Sequence, residues 1–322
     1  MNIAQIKKII KKFNKFLISS HINPEGDSIG SQIALASLLR RLGKEVIILN
    51  ESPLPHTLRF MKGTENILKE MPKDFNFQAL IILDCPDLGR IGKVKDSFSK
   101  EYPIINIDHH ISNVNFGKFN WVEPELSSAG EMIFGLFKAF RLRIQLDEAI
   151  ALYVAIMTDT GSFKYTNTSS MTHRIIAELV DIGVKPYEVY SKIYEASSLE
   201  DTNLLGEALQ TLRLTDDCKI AWMWVTKEML KKTKASLEGT EGIINFARAI
   251  ESVEVAVLFR ETGTEDRIKV SFRSKGRVDV NKLAAFFGGG GHMNASGCSV
   301  SGKMEEAEKK VLEKAREMVK IV

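Results

Sequence analysis

Apolar positions along this chain fall into two textures. In the first, short unbroken apolar runs alternate with longer stretches at helical spacing. Ile3, Ile6, Ile10, Phe13 and Leu17 predict an amphipathic helix over residues 3–17, with Lys7, Lys8, Lys11, Lys12 and Lys15 on its solvated side. Residues 16–18 read as a strand, residues 29–42 as a helix, and residues 45–49 as a second strand. Residues 79–83 are Ala-Leu-Ile-Ile-Leu, an apolar run of the kind found in parallel strands buried on both faces. Residues 103–107 form another such strand. Helices are predicted over 128–140, capped by Ser127 or Ser128 with Glu131 in the first turn, from about 147 through 155, and over 172–182 up to Gly183.

The second texture begins after an interrupted helical stretch, residues 186–203. Residues 219–225, 253–259 and 267–272 alternate as strands do, and Thr262 to Asp266 has the character of a hairpin loop. Residues 304–321 form a last amphipathic helix. The pattern predicts an α/β protein with a βαβ-like domain over residues 1–185, a linker over 186–203 and a smaller domain over 204–322.

Composition adds limits. Of 322 residues, 44% are hydrophobic and 26% charged, as in a globular protein with a full-sized core. The net charge of +3 is too small to argue for a nucleic-acid coat or a membrane surface. Cys85, Cys218 and Cys298 are widely spaced and odd in number, which argues against a disulfide framework or a thiolate zinc site and fits a reducing compartment. With no apolar stretch long enough to span a bilayer and no signal peptide, the expected location is cytoplasmic.

The chemistry sits where the first texture's strands end. Residues 16–18 lead to His21, Glu25 and Asp27 in a loop bent by Pro24 and Gly26. Residues 79–83 end in Asp84, and residues 103–107 end in Asp108, His109 and His110. Open α/β sheets place ligands at the carboxyl ends of their strands. Several carboxylates brought together require a cation, and carboxylate mixed with imidazole suits Mn²⁺, with Mg²⁺, Fe²⁺ or Co²⁺ as other candidates. Asp159, before Gly161, adds a further carboxylate.

In the second half, Gly288, Gly289, Gly290 and Gly291 precede His292, Asn294 and Ser296. Four glycines destabilise regular structure, and exposed backbone N–H groups cradling an anion would explain them. Arg273 and Ser274, at the end of a predicted strand, add a fork-shaped phosphate donor.

These motifs, in this order, resemble the DHH phosphoesterases, named for the Asp-His-His found here at 108–110. The likeness covers nearly the whole chain. It is greatest to the branch of nanoRNases and pAp phosphatases, in which Gly288 to His292 resembles the signature of an associated C-terminal substrate domain. The resemblance implies an N-terminal parallel-sheet Rossmann-like domain and a C-terminal α/β domain with a mixed sheet. It implies two metal ions, one held by His21, Glu25, Asp84 and Asp159, the other by Asp27, Asp84 and His109. Asp108 would orient the imidazoles, His110 would face the substrate phosphate, and Arg273, Ser274, Gly289, Gly290, Gly291 and His292 would bind substrate. The family usually has Asp where this chain has Glu25.

The implied reaction is attack by a hydroxide held between two divalent ions on short oligoribonucleotides, giving 5′-mononucleotides, or on 3′-phosphoadenosine 5′-phosphate (pAp), giving AMP. A linear or cyclic dinucleotide phosphodiesterase is the alternative, and a nucleotide-binding sensor with an impaired metal site a further one. The expected partners are short RNA or a small nucleotide, no membrane, and a second copy of the chain in a homodimer.

Overall fold

The computed structural model describes residues 1–72, 74–98, 102–240, 242–262 and 267–320. Two compact units divide between Ala196 and Ser197.

The first unit begins with helix α1 (Ile3–Lys12), strand β1 (Lys15–Ser19), α2 (Gly26–Arg41) and β2 (Glu45–Leu49). Strands β3 (Ile67–Leu68), β4 (Ala79–Leu83), β5 (Ile104–Asp108) and β6 (Phe119–Val122) follow. Helices α3 (Ala129–Phe140), α4 (Leu146–Asp159), α5 (Ser170–Ile182) and α6 (Pro186–Tyr194) complete it. Among the described residues its strands form one sheet in the order β3-β2-β1-β4-β5-β6, with every neighbouring pair parallel. The order reverses between β1 and β4, which opens a crevice at the carboxyl ends of those strands.

Both sheet faces are buried. Phe16, Ile18, Ile81, Leu83, Ile105 and Ile107 join a core built with α2, α3 and α4. Leu17, Leu49, Leu80 and Ile82 pack on the other face with Phe77, Ile91 and Val94. Each fully buried Ile or Leu contributes about 1.5–3 kcal/mol, so the strands admit charge only at their ends. Helices α2 and α4 approach so closely that a Cβ on Gly30 would lie 2.3 Å from the Ala151 carbonyl oxygen, and one on Gly26 2.4 Å from Thr158 Oγ1. This antiparallel contact sets the start of α2, with Asp27, beside the end of α4, with Asp159.

Several sequence expectations need correction. The first helix stops at Lys12 rather than at residue 17, because Phe13 is already extended and Leu17 belongs to β1, where it faces the opposite side from Phe16 and Ile18. The second helix starts at Gly26, so Asp27 and Ser28 stand in its first turn rather than in a loop. Helix α4 runs past residue 155 to Asp159. Strands β3 and β6 were not expected; β6 buries Trp121 but leaves Phe119, Asn120 and Val122 half-buried, which weakens its apolar signal.

The second unit contains α7 (Leu199–Gln210), β7 (Arg213–Leu214), β8 (Ile220–Val225), α8 (Lys227–Thr233), α9 (Ile244–Arg248) and β9 (Val255–Glu261). Then come β10 (Arg267–Ser274), α10 (Val280–Phe286), β11 (Gly290–His292), β12 (Ala295–Ser301) and α11 (Met304–Lys320). Among the described residues its sheet has the order β11-β12-β10-β9-β8-β7. Only β8 and β9 pair in parallel there, so the sheet is mixed. Strands β9 and β10 pair antiparallel, while residues 263–266 of the expected hairpin loop and Ile321 of the expected last helix lie outside the described residues. The stretch 186–203 is mostly helical, in α6 and the start of α7. Among the described residues no helix is long and apolar enough to cross a membrane.

Candidate metal centre

Ends of β1, β4 and β5 and the termini of α2, α3 and α4 converge on one cluster of acids and imidazoles. Strand β4 stops at Asp84, whose backbone turns left-handed at φ 51°. Its amide still donates to the Ile107 carbonyl at 3.0 Å. A left-handed Asp is tolerated better than most residues, yet it stores strain, which fits a side chain aimed by its surroundings. Ser28 Oγ donates to Asp84 Oδ2 at 2.5 Å.

Each of three imidazoles is held by one ring nitrogen. His21 Nδ1 meets the Ile22 carbonyl oxygen at 2.7 Å, and His109 Nδ1 meets that of Leu126 at 3.3 Å. Those bonds turn Nε2 towards the acids, 3.5 Å from Asp84 for His21 and 3.7, 3.6 and 3.5 Å from Asp27, Asp84 and Asp159 for His109. A carbonyl that fixes the tautomer in this way prepares the other nitrogen to ligate metal. His110 Nδ1 lies 2.6 Å from Asp108 Oδ1 and 3.6 Å from Asp84 Oδ1. Asp108 in turn accepts from the Asn113 amide, and Asn113 is tied to Asn106 at 2.8 Å.

Asp27 does not cap its own helix. Its carboxylate accepts from the amides of Ala129 at 2.7 Å and Gly130 at 2.9 Å, at the start of α3, and from Ser31 Oγ at 3.0 Å. The positive end of the α3 dipole favours that negative charge. Glu25 occupies the α2 N-cap position without a side-chain cap bond, and it is exposed.

Electrostatics test whether these residues suit a cation. Burial, with the neighbouring Asp84 and Asp159 charges, pushes the Asp27 carboxyl well above the usual range. Burial lifts Asp159 to about 6; His109 opposes this and Asp84 adds to it. Burial also works against the Asp84 carboxylate, but hydrogen bonds from His109 and His21 hold its pKa well below the usual value. Asp108 is lowered too, because its bond to His110 outweighs burial. Burial disfavours protonated His109, yet the Asp159, Asp84 and Asp27 carboxylates hold it well above its ordinary value. His21 is raised, since Asp84 outweighs burial there. Two buried carboxylates and the half-buried Asp159 therefore stay close only by taking up protons or a cation, and two sets of donors have that character. Ligand atoms of Asp84, His109 and His110 lie within 4.8 Å of one another, as do those of Asp27, His109 and Asp159.

Of the residues expected as ligands, His21, Asp27, Asp84, His109 and Asp159 meet here, and His110 joins them. His21 and Glu25 are outside both close sets among the described residues, although His21 Nε2 lies 3.5 Å from Asp84. Sequence reasoning did not single out Ser28, Asn113 or the Ala129 and Gly130 amides. Ser28, adjacent to Asp27, and Asn113, three residues past His110, were the only signals available for them.

The other expected substrate residues lie in the second unit. Arg273 and His292 are both in register with Ala295, on opposite sides of β12. They therefore share one face of the sheet, about 10 Å apart by strand spacing, with a small side chain between them. Ser274 is buried and donates to Asn294 Oδ1 at 3.1 Å. The glycines have a packing reason as well. A Cβ on Gly291, at φ 151°, would meet the Ala295 carbonyl at 2.5 Å, and one on Gly289 the Gly297 carbonyl at 2.2 Å.

Comparison with known proteins shows the family. The N-terminal domain of the DHH family matches residues 15–158, and the DHHA1 domain matches residues 216–321. The bifunctional oligoribonuclease and PAP phosphatase NrnA of Thermus thermophilus is 30% identical over 317 residues, covering 98% of this chain and 93% of that one. NrnA of Bacillus subtilis is 27% identical over 304 residues, with 92% and 93% covered. The crystal structure of an exopolyphosphatase-related protein from Bacteroides fragilis superposes with TM-score 0.89 at 32% identity, covering 98% of this chain and 95% of that one. RecJ of Thermus thermophilus in complex with Mn²⁺ shares the fold, with TM-score 0.55 at 11% identity over 98% of this chain and 54% of that one.

Proposed function

The chain belongs to the DHH family and is a metal-dependent phosphoesterase, and on that premise we propose that it removes 5′-mononucleotides from very short oligoribonucleotides and phosphate from pAp. The observation that carries the reading is the convergence of Asp27, Asp84 and Asp159 on His109 at the sheet's switch point. The relatives' names supply the substrate class.

In this reading His21, Glu25, Asp84 and Asp159 hold one divalent ion, and Asp27, Asp84 and His109 the other, with Mn²⁺ as the preferred metal. Bound ions supply Lewis acidity, an activated water and neutralisation of charge on the transferring phosphoryl group. The chain's own residues do the rest. Ser28 and His21 fix the Asp84 carboxylate between the two sites. Asp108 accepts the Nδ1 proton of His110, which orients that ring and leaves its other nitrogen for a contact with substrate phosphate. Asn113 keeps Asp108 in place. Arg273, Ser274, Gly289, Gly290, Gly291 and His292 bind substrate groups away from the scissile bond. Free thiols at Cys85, Cys218 and Cys298 fit a cytoplasmic setting.

One substrate panel in Mn²⁺ tests the proposal: pAp, pApA, RNA of two to five nucleotides, cyclic di-AMP and long single-stranded DNA. The expected order puts pAp and the shortest RNAs first. Preference for cyclic di-AMP or long DNA would overturn it.

A further inference from the structure

The first unit carries an aromatic surface that none of the chemistry above uses. Helix α6 presents Tyr187, Tyr190 and Tyr194 at spacings of three and four residues, so they form one stripe. All three are exposed, whereas Val189 of the same helix is buried. A tyrosine stripe facing water is costly, since apolar ring area gains nothing there.

The stripe ends at the turn that follows Asp159. Tyr190 and Tyr194 have ring centroids 4.9 Å apart, with planes inclined at 46°. The Tyr194 hydroxyl lies beside the Ser162 side chain, three residues beyond Asp159. The Tyr165 ring lies against Gly161, two residues beyond Asp159, so near that a Cβ there would come within 2.4 Å of it. The turn that delivers Asp159 thus also delivers Tyr165. Each of Tyr165, Tyr190 and Tyr194 keeps 37–42% of its surface exposed.

We propose that Tyr165, Tyr190 and Tyr194 form a stacking surface for the nucleobases of the substrate, beginning at the turn that follows Asp159 and running outward along α6. The inference rests on the nucleotide substrate proposed above and adds where its bases go. Stacking suits an enzyme that acts on short single strands of any sequence, because every base offers a π-face. It also supplies binding energy remote from the scissile bond.

Calorimetry on the full chain with Mn²⁺ tests this, using an uncleavable RNA dinucleotide analogue and the same analogue without its bases. The unaltered chain should bind the base-bearing ligand more tightly. Tyr190→Leu and Tyr194→Leu, which keep apolar bulk but remove the ring, should each weaken that ligand by about five- to 150-fold, the range for stacking on one aromatic ring. The loss should be confined to the base-bearing ligand, and Tyr190→Phe and Tyr194→Phe should restore it. Equal losses on both ligands, or no preference for bases in the unaltered chain, would overturn the proposal. Turnover of a cleavable dinucleotide by the unaltered chain is a separate readout. Preference without turnover would sink the function and keep the stacking surface; turnover without preference would do the reverse.

Discussion

The two sheets of this protein hold their candidate residues in opposite ways. The parallel sheet gathers charge at its strand ends and buries it. Asp27, Asp84, Asp108, His109 and His110 are nearly inaccessible, and each is held by a hydrogen-bonding partner, for Asp27, Asp84 and His109 one from another part of the fold. The mixed sheet offers Arg273 and His292 on one face, across Ala295, and glycine backbone at an edge strand. Buried carboxylates are unstable neighbours unless they take up protons or a cation, and a cation accounts for them at neutral pH. A face with a guanidinium, an imidazole and close-packed glycines has no such cost and suits recognition. The contrast fits the proposal of metal chemistry on the first sheet and substrate binding on the second.

The largest effect should come from Asp84→Ala. Its carboxylate touches His21, His109 and His110, and in the proposed scheme serves both ions. Release of mononucleotide should fall by about a thousandfold or more, consistent with several kcal/mol of metal-derived stabilisation. Activity within tenfold of the unaltered enzyme would break the assignment.

Next come Arg273→Ala and His292→Ala. Loss of a charge-assisted hydrogen bond costs about 1.5–3 kcal/mol, or roughly ten- to 150-fold in kcat/KM. Metal content by elemental analysis should not change. The loss should be large on pAp and dinucleotides and smaller on a minimal chromogenic phosphodiester. Equal losses on both would place these residues in the catalytic centre or the fold.

Asn113→Ala sharpens the first half of the contrast. It frees Asp108, which should loosen His110 and lower kcat by about tenfold, in line with one hydrogen bond to a charged group. The loss should fall on kcat, with KM and bound metal unchanged, since Asp108 orients that ring. A lower metal content or a loss confined to stability would mean Asn113 only supports the loop.

These partners show what the sequence made legible. Strand ends at His21, Asp84 and Asp108 were readable because unbroken apolar runs stop there and a buried parallel strand leaves no other signature. Asp159 was readable as an acid before glycine, yet its place next to Asp27 depends on the close crossing of α2 and α4. The Asp27 bonds to Ala129 and Gly130 span more than a hundred residues and use backbone amides, which no side-chain pattern announces. Strand β6 escaped notice because only Trp121 in it is buried. Four glycines suggested an anion cradle, but two of them are also demanded by the contact of Gly289 and Gly291 with β12.

The smallest effect is on stability. Asp159 rises from 3.8 to about 6 on folding, so the folded, metal-free chain binds more protons than the unfolded one between those values. Its contribution is present below pH 4 and is lost as pH rises towards 6. Asp27 acts in the same direction, and His109, also raised, extends the loss above 6.5. Asp84 and Asp108 are lowered, so their contribution is present above the unfolded value and is lost only on further acidification. The unfolding temperature of the chelated protein should therefore drop by a few degrees between pH 5 and pH 7, consistent with about 1 kcal/mol. Added Mn²⁺ should remove the drop. A metal-free protein that gains stability over this range would contradict the electrostatics described here.

The most direct test of the central claim is a chelation and add-back experiment on the unaltered chain, following mononucleotide release from pApA while bound metal is counted. Stripped protein should be inactive, and activity should return with Mn²⁺ in step with two ions bound per chain. Full turnover by protein shown to be free of divalent metal would contradict the account.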